Sequence, residues 1–334
     1  MKTFITKSWN EYLNRIKDKD IYYYEEYAKL YEYSGEAYAI ICEEDENIML
    51  LPFIRGKAGE CYDFETPYGY GGPVSNTADE EWNKSALGCM EKHFRDENYL
   101  CGFIRFHTLL DNYRVCRNSF DVLFDRNTVA VNLENDIFET QLSSKNRNMI
   151  RKAKKQGLYF KAEYDFDSLY EFKELYLDTM KRLKADSFYL FDNEYFDSIK
   201  NILNGRGFLG TVRKDGILIC AALFMYCGDF GHYHLEGSNY AYKGTGAGNL
   251  LLYESALELQ RRGVKLLHLG GGTDSDRDNS LFKFKKAFGK EERDFYIGKW
   301  IFDKEKYAAV KKEWMENNKD KLQEYGKLLL CYRY

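Results

Sequence analysis

The chain has 334 residues and a formal net charge of −4. That length suggests two domains of ordinary size, and that charge excludes a polyanion binder acting through its global field. No apolar run approaches the roughly 20 residues of a membrane span, and the start, Met1 to Lys7, lacks the apolar core of a signal peptide, so a cytoplasmic location is expected.

Ser8 is positioned to cap a helix over Trp9 to Asp18, and residues 21–33 read as a Tyr-rich amphipathic helix closed by Gly35. A hairpin follows, Ala37 to Glu43 and Ile48 to Arg55, then a strand over Cys61 to Phe64 and a glycine-rich loop holding Tyr68 and Tyr70. Ala78 to Asp96 is helical in spacing and Tyr99 to His107 is a strand. Residues 113–133 read as two strands about a turn at Asp125-Arg126-Asn127. The second half repeats this order: Phe208 to Arg213 and Ile217 to Tyr226 as a hairpin, Phe230 to Glu236, a glycine loop, a helix from Asn249 to Arg262, and the strand Val264 to Leu269. This pattern implies an internal duplication. Helices are expected at 166–182 and 193–203 between the halves, then a late strand at 293–302 and amphipathic helices over 304–330. The predicted fold class is α/β (α+β): two duplicated domains with mixed central sheets at 1–142 and 143–300, and a helical segment at 301–334 that packs back on the first.

Three constellations carry chemistry. Lys243-Gly244-Thr245-Gly246-Ala247-Gly248-Asn249 lies between a strand and a helix. Glycines let a ligand approach the backbone, and the free N–H groups and dipole of a helix start favour an anion. These residues are candidates for holding the donor; a plain steric turn is the bland alternative. On the preceding strand, His232, His234 and Glu236 alternate and should share one face. Glu236 or His234 could then take a proton from an attacking amine. His-x-His also suits zinc, but no third ligand stands at the right spacing, so no metal is expected. Lys145, Arg147, Arg151, Lys152, Lys154 and Lys155 fall within eleven residues free of acids, which suits a phosphate-rich partner such as tRNA, a nucleotide sugar or an anionic lipid, or else a solvated face. Tyr68, Tyr70, Arg151, Lys152, Lys155 and Asp274 are the candidate substrate contacts. Lys285, in Phe284-Lys285-Lys286-Ala287-Phe288, could face the oxyanion of an acyl transfer.

The glycine loop resembles the coenzyme A loop of GNAT acyltransferases. The chain as a whole is similar to the FemAB/FemX family, through Gly72-Pro73-Val74, the segment Lys145 to Gly157, Leu209 to Ala222, Glu236-Gly237-Ser238, His268-Leu269-Gly270-Gly271, and Phe284-Lys285-x-x-Phe288 followed by Tyr296-Ile297-Gly298. That resemblance implies tandem GNAT-like domains, transfer of amino acids from aminoacyl-tRNA onto peptidoglycan precursors, and an intermediate-stabilising role for Lys285. The expected activity is N-acyl or aminoacyl transfer to an amine of a cell-envelope precursor, an amino sugar or a peptide. Acyl-CoA or aminoacyl-tRNA would be co-substrate, with no tightly bound cofactor and no DNA partner; the acceptor would be a small molecule or lipid-linked, and the latter would place the protein at the inner membrane face. A repeat that binds a nucleotide sugar without chemistry is the alternative.

Overall fold

A computed structural model describes residues 1–334. In chain order the elements are β1 (Lys2–Thr6), α1 (Asn10–Leu13), α2 (Glu25–Lys29), β2 (Glu36–Glu44), β3 (Asn47–Ala58), β4 (Cys61–Glu65), β5 (Val74–Ser75), α3 (Glu80–Asp96), β6 (Tyr99–Arg105) and β7 (Asp121–Asn132). They continue with α4 (Ile137–Thr140), α5 (Ser144–Lys155), β8 (Tyr159–Glu163), α6 (Leu169–Leu183), α7 (Asn193–Leu203), β9 (Gly207–Lys214), β10 (Ile217–Cys227) and β11 (Phe230–Ser238). The last are α8 (Ala247–Arg261), β12 (Leu266–Gly271), α9 (Ser280–Lys286), β13 (Glu291–Ile301), α10 (Lys304–Asn317) and α11 (Leu322–Tyr325). Contacts group residues 1–125 with 294–334 as one unit and 126–293 as the other.

In the first unit the strands run β1-β2-β3-β4-β6-β13, with β5 beside β3. Asp79 starts α3 by accepting from the N–H groups of Glu81 and Trp82, both at 3.0 Å. The helix then buries Trp82, Ala86, Met90 and Phe94, spaced four apart, on Phe53, Phe64 and Trp300. The C-terminal segment packs back on this unit. Leu329 and Leu330 cluster with Cys101, and Arg333 reaches the fully buried Asp63 and, at 2.6 Å, Glu65.

In the second unit the order is β7-β12-β11-β10-β9-β8. Asp215 and Gly216, both at positive φ (50° and 81°), close the β9–β10 hairpin as a type I′ pair matched to strand twist. The core lies between this sheet and α8, which contributes Leu250, Leu251, Ala256 and Leu259. Each unit thus contains hairpin, strand, helix and a strand parallel to the third: β4 with β6, β11 with β12. The expected duplication is present.

Three local expectations fail for physical reasons. The first helix is only four residues long, and Glu25, not Ser8, receives the N–H groups of Trp9 and Asn10. Residues 113–133 hold one strand preceded by a 3-10 turn, because Asp125 to Asn127 stay extended within β7 despite their turn propensity. Residues 21–33 form short helical pieces (Ile21–Tyr23, Glu25–Lys29, Glu32–Ser34) in place of one helix.

Candidate functional site

Strands β11 and β12 pair in parallel only from Phe230 opposite Leu266 to His232 opposite His268. Both then continue without each other, to Ser238 and Gly271. A gap at the C-terminal ends of parallel strands, with a helix starting beside it, is where α/β proteins place ligands. Here a cavity of about 360 Å³ opens, lined by Glu236, Cys220, Arg182, Tyr240, Phe284 and the start of α8.

The glycine loop forms one wall. Lys243, Gly244, Gly246, Ala247, Gly248 and Asn249 line the cavity, whereas Thr245 does not: its hydroxyl donates to the Tyr242 carbonyl at 2.8 Å and holds the turn. Gly246 (φ 88°) precedes α8 without any side-chain cap, and no acid stands in the first turn, so that helix end offers open N–H groups and a positive dipole. The matching helix of the first unit differs, since Asp79 caps α3 and Glu80 and Glu81 follow. Its own carboxylates occupy the place of an anion. The loop also leans on α5. A Cβ on Gly246 would stand 2.4 Å from the Met149 carbonyl oxygen, and Lys152 Nζ donates to the Gly244 carbonyl at 2.8 Å.

A β-bulge decides which side chains reach the cavity. Leu223 pairs with Leu235 and Phe224 with Tyr233, leaving His234 as the extra residue. Alternation is reset there, so the expectation that His232, His234 and Glu236 share a face is overturned. His234 meets the Tyr195 hydroxyl of α7 at 2.8 Å, and burial pushes its imidazole down to about 3, which leaves it neutral. Glu236 falls on the α8 side with Tyr233, whose hydroxyl hydrogen-bonds it. Desolvation raises the Glu236 carboxyl above the ordinary range, opposed by Tyr233 and by the charges of Lys285 and Arg182.

Lys285 comes from α9, behind the cavity wall formed by Phe284. Its Nζ donates to the Gly271 carbonyl at 2.8 Å and lies 6.0 Å from the Tyr233 ring centroid. Burial lowers the ammonium to about 8, against the pull of Glu236. Burial thus pushes the carboxyl up and the lysine down, while each favours the charged form of the other.

The other candidates lie elsewhere. Arg151 stacks over Phe138 (5.1 Å) beside a second cavity of about 490 Å³ that Tyr253 also lines. Lys155 is exposed. Asp274 accepts from Asp276 N–H and Asn279 Nδ2, at 3.0 and 3.1 Å, ordering its own loop. Tyr68 and Tyr70 belong to the first unit, where Tyr70 packs edge-on to Tyr22 and Phe295. Sequence reasoning missed Arg182 and Tyr240. Arg182 lies 5.0 Å over the Tyr240 ring at the cavity rim, and nothing in the helix periodicity marks the last turn of α6 as different from any basic C-terminus.

Residues 142–286 match the family model described as an acetyltransferase (GNAT) domain. No curated protein sequence matches the chain. Among solved structures, FemX is 16% identical, with a TM-score of 0.71 over 93% of this chain and 100% of that one. L-PGS from Bacillus licheniformis is 15% identical, with a TM-score of 0.58 over 90% and 93%. A tandem GNAT protein from the clavulanic acid biosynthesis pathway is 7% identical, with a TM-score of 0.54 over 90% and 99%. At such identities the likeness is one of fold. The match to an acetyltransferase (GNAT) domain thus lies within the second unit, and the chain as a whole shares its fold with FemX and with the tandem GNAT protein.

Proposed function

We propose that the second unit transfers an acyl or aminoacyl group to an amine carried by a cell-envelope precursor, an amino sugar or a peptide. The observation that carries this reading is the Glu236–Lys285 pair set beside a cavity whose other wall is an uncapped helix start. The donor, acyl-CoA or aminoacyl-tRNA, brings phosphate, which the N–H groups of Ala247 to Asn249 and Lys243, all at the cavity wall, would receive. Its acyl carbonyl then points toward Glu236.

An ammonium has no lone pair for attack, so the acceptor first loses a proton, which Glu236 takes. The C–N bond forms while the carbonyl π pair moves to oxygen. The Lys285 ammonium opposes that charge more strongly in the transition state than before it. Collapse restores the carbonyl and breaks the bond to the thiol or ribose oxygen; the nitrogen gives its second proton to that leaving group, and Glu236 releases the first to solvent. At pH 7 a lysine titrating near 8 is roughly ten parts charged to one neutral, the form this role needs.

Incubation with panels of acyl-CoA and charged tRNA, each with amino-sugar nucleotides and muropeptides, tests this by mass spectrometry. A mass gain on the acceptor is expected, and RNase sensitivity assigns the donor. No mass shift on any amine across both donor panels would refute the reading.

A further inference from the structure

The segment joining α6 to α7 lies beside the cavity rim, and it presents apolar groups to water. Leu183 is 61% exposed, Phe188 37% and Leu190 43%, and Tyr240 alongside Arg182 is 57% exposed. These are not frayed side chains. Phe191, next in the chain, is buried and stacks on Tyr195 at 3.9 Å, and Tyr176 donates to the Tyr189 carbonyl at 2.9 Å. The backbone is thereby pinned from inside while Leu183 and Leu190 stand exposed and Phe188, edge-on to Tyr189 and Phe191, keeps part of its ring in water. Basic residues accompany them. Lys181 and Lys184 stand against a single acid within 181–190, Asp186, whose carboxylate accepts the Phe188 N–H at 2.8 Å, while Arg182 faces Tyr240 and Glu236 at the cavity.

Apolar side chains interleaved with unopposed cations match one kind of partner, an interface that is anionic at its surface and apolar just beneath. A protein partner would be expected to supply shape, such as a groove, and here the apolar groups protrude. We propose that the 181–190 segment seats the protein on an anionic lipid surface, with the mouth of the Glu236 cavity held next to the membrane. Lys181 and Lys184 meet lipid phosphates while Leu183, Phe188 and Leu190 enter the headgroup boundary. The functional consequence rests on the acyl-transfer reading above: an acceptor amine borne on a lipid would reach the cavity without leaving the bilayer.

Cosedimentation of the full chain with vesicles tests this, using phosphatidylcholine alone and phosphatidylcholine mixed with phosphatidylglycerol. Binding is expected only to the mixture and should weaken with salt. L183S/F188S and K181E/K184E should each weaken it by at least about tenfold, since each surface charge alone is worth about fivefold. Both variants should still acylate a soluble amine at the wild-type rate. No sedimentation with the mixed vesicles, or binding that both variants retain, would overturn the proposal. Vesicle binding is read without turnover, so a protein that binds lipid but acylates nothing leaves this inference standing while removing the reading of the cavity.

Discussion

Replacing Lys285 by Met separates what this residue does for stability from what it does for chemistry. Its titration falls from an ordinary lysine's 10.5 to about 8 because the ammonium is buried. At about 1.4 kcal/mol for each tenfold in proton affinity, keeping the charge inside costs the folded state about 3 kcal/mol. Methionine removes that cost, keeps the apolar stem, and forfeits the 2.8 Å bond to the Gly271 carbonyl, worth about 1 kcal/mol. The variant should therefore be more stable by about 2 kcal/mol, or about 4–8 °C in Tm for a unit of this size. Below pH 8 the lysine is charged in both states and the full cost applies. Between 8 and 10.5 only the unfolded chain stays charged, so wild-type stability rises and the gap to the variant closes. Turnover should meanwhile fall by about a hundredfold or more, the scale of a lost oxyanion partner, with donor affinity little changed. Calorimetry across pH 7 to 10.5, beside initial rates, reads both effects. A variant less stable than wild type at pH 7, or one with near-normal turnover, refutes the reasoning.

The remaining expectations follow from the same site. Wild-type activity should fall as pH rises through about 8, where Lys285 loses its proton, and K285R, if active, should carry that alkaline limb to higher pH in a rate profile. Gly248 has room for a side chain, its added Cβ meeting only Phe284 at 3.9 Å. G248V should thus weaken donor binding in a titration while unfolding as cooperatively as wild type. Gly246 combines φ 88° with the 2.4 Å approach to Met149, so G246V should lower Tm as well, which makes it the poorer probe of the ligand. In the basic helix, K155E should weaken binding of a phosphorylated partner in a salt-dependent way, and K152E should additionally loosen the loop it anchors through Gly244. R333M strands the fully buried carboxylate of Asp63 and should cost about 3–5 kcal/mol in a denaturant titration.

The sequence shows the elements more clearly than the facing of their side chains. Helices with a clear apolar stripe and a good start, such as α3 with Asp79, stand within two residues of their expected limits. Short strands whose pairing is non-local, β1 and β8, leave no signal of their own, because five residues of mixed polarity become a strand only when a neighbour is present. At the site, the Gly246 loop was readable from chemistry, since glycines before a helix have a local physical cause. The separation of His234 from Glu236 was not. It depends on one extra residue in β11, and a bulge arises from the partner strand β10 as much as from the residue itself. Arg182 was equally silent, because its value comes from facing Tyr240, 58 residues away in the chain (240 − 182).

The strand pairings bear on how the chain is made. Strand β6 takes β13 as its neighbour, with Ile297 opposite Arg105, and β12 takes β7, with Leu266 opposite Asn132. Each unit is thus finished by a strand that the ribosome delivers far from its partner. At 5–20 residues per second, β6 waits on the order of 10–40 s for β13, through synthesis of the whole second unit. During that time its N–H and C=O groups form an open edge, the template on which β structure mispairs. The second unit receives β7 first and can close as soon as β12 appears. Completion of this molecule should therefore run backwards along the chain, the later unit closing before the earlier one. A stalled or truncated product ending before residue 291 would expose β6 permanently and invite chaperone capture.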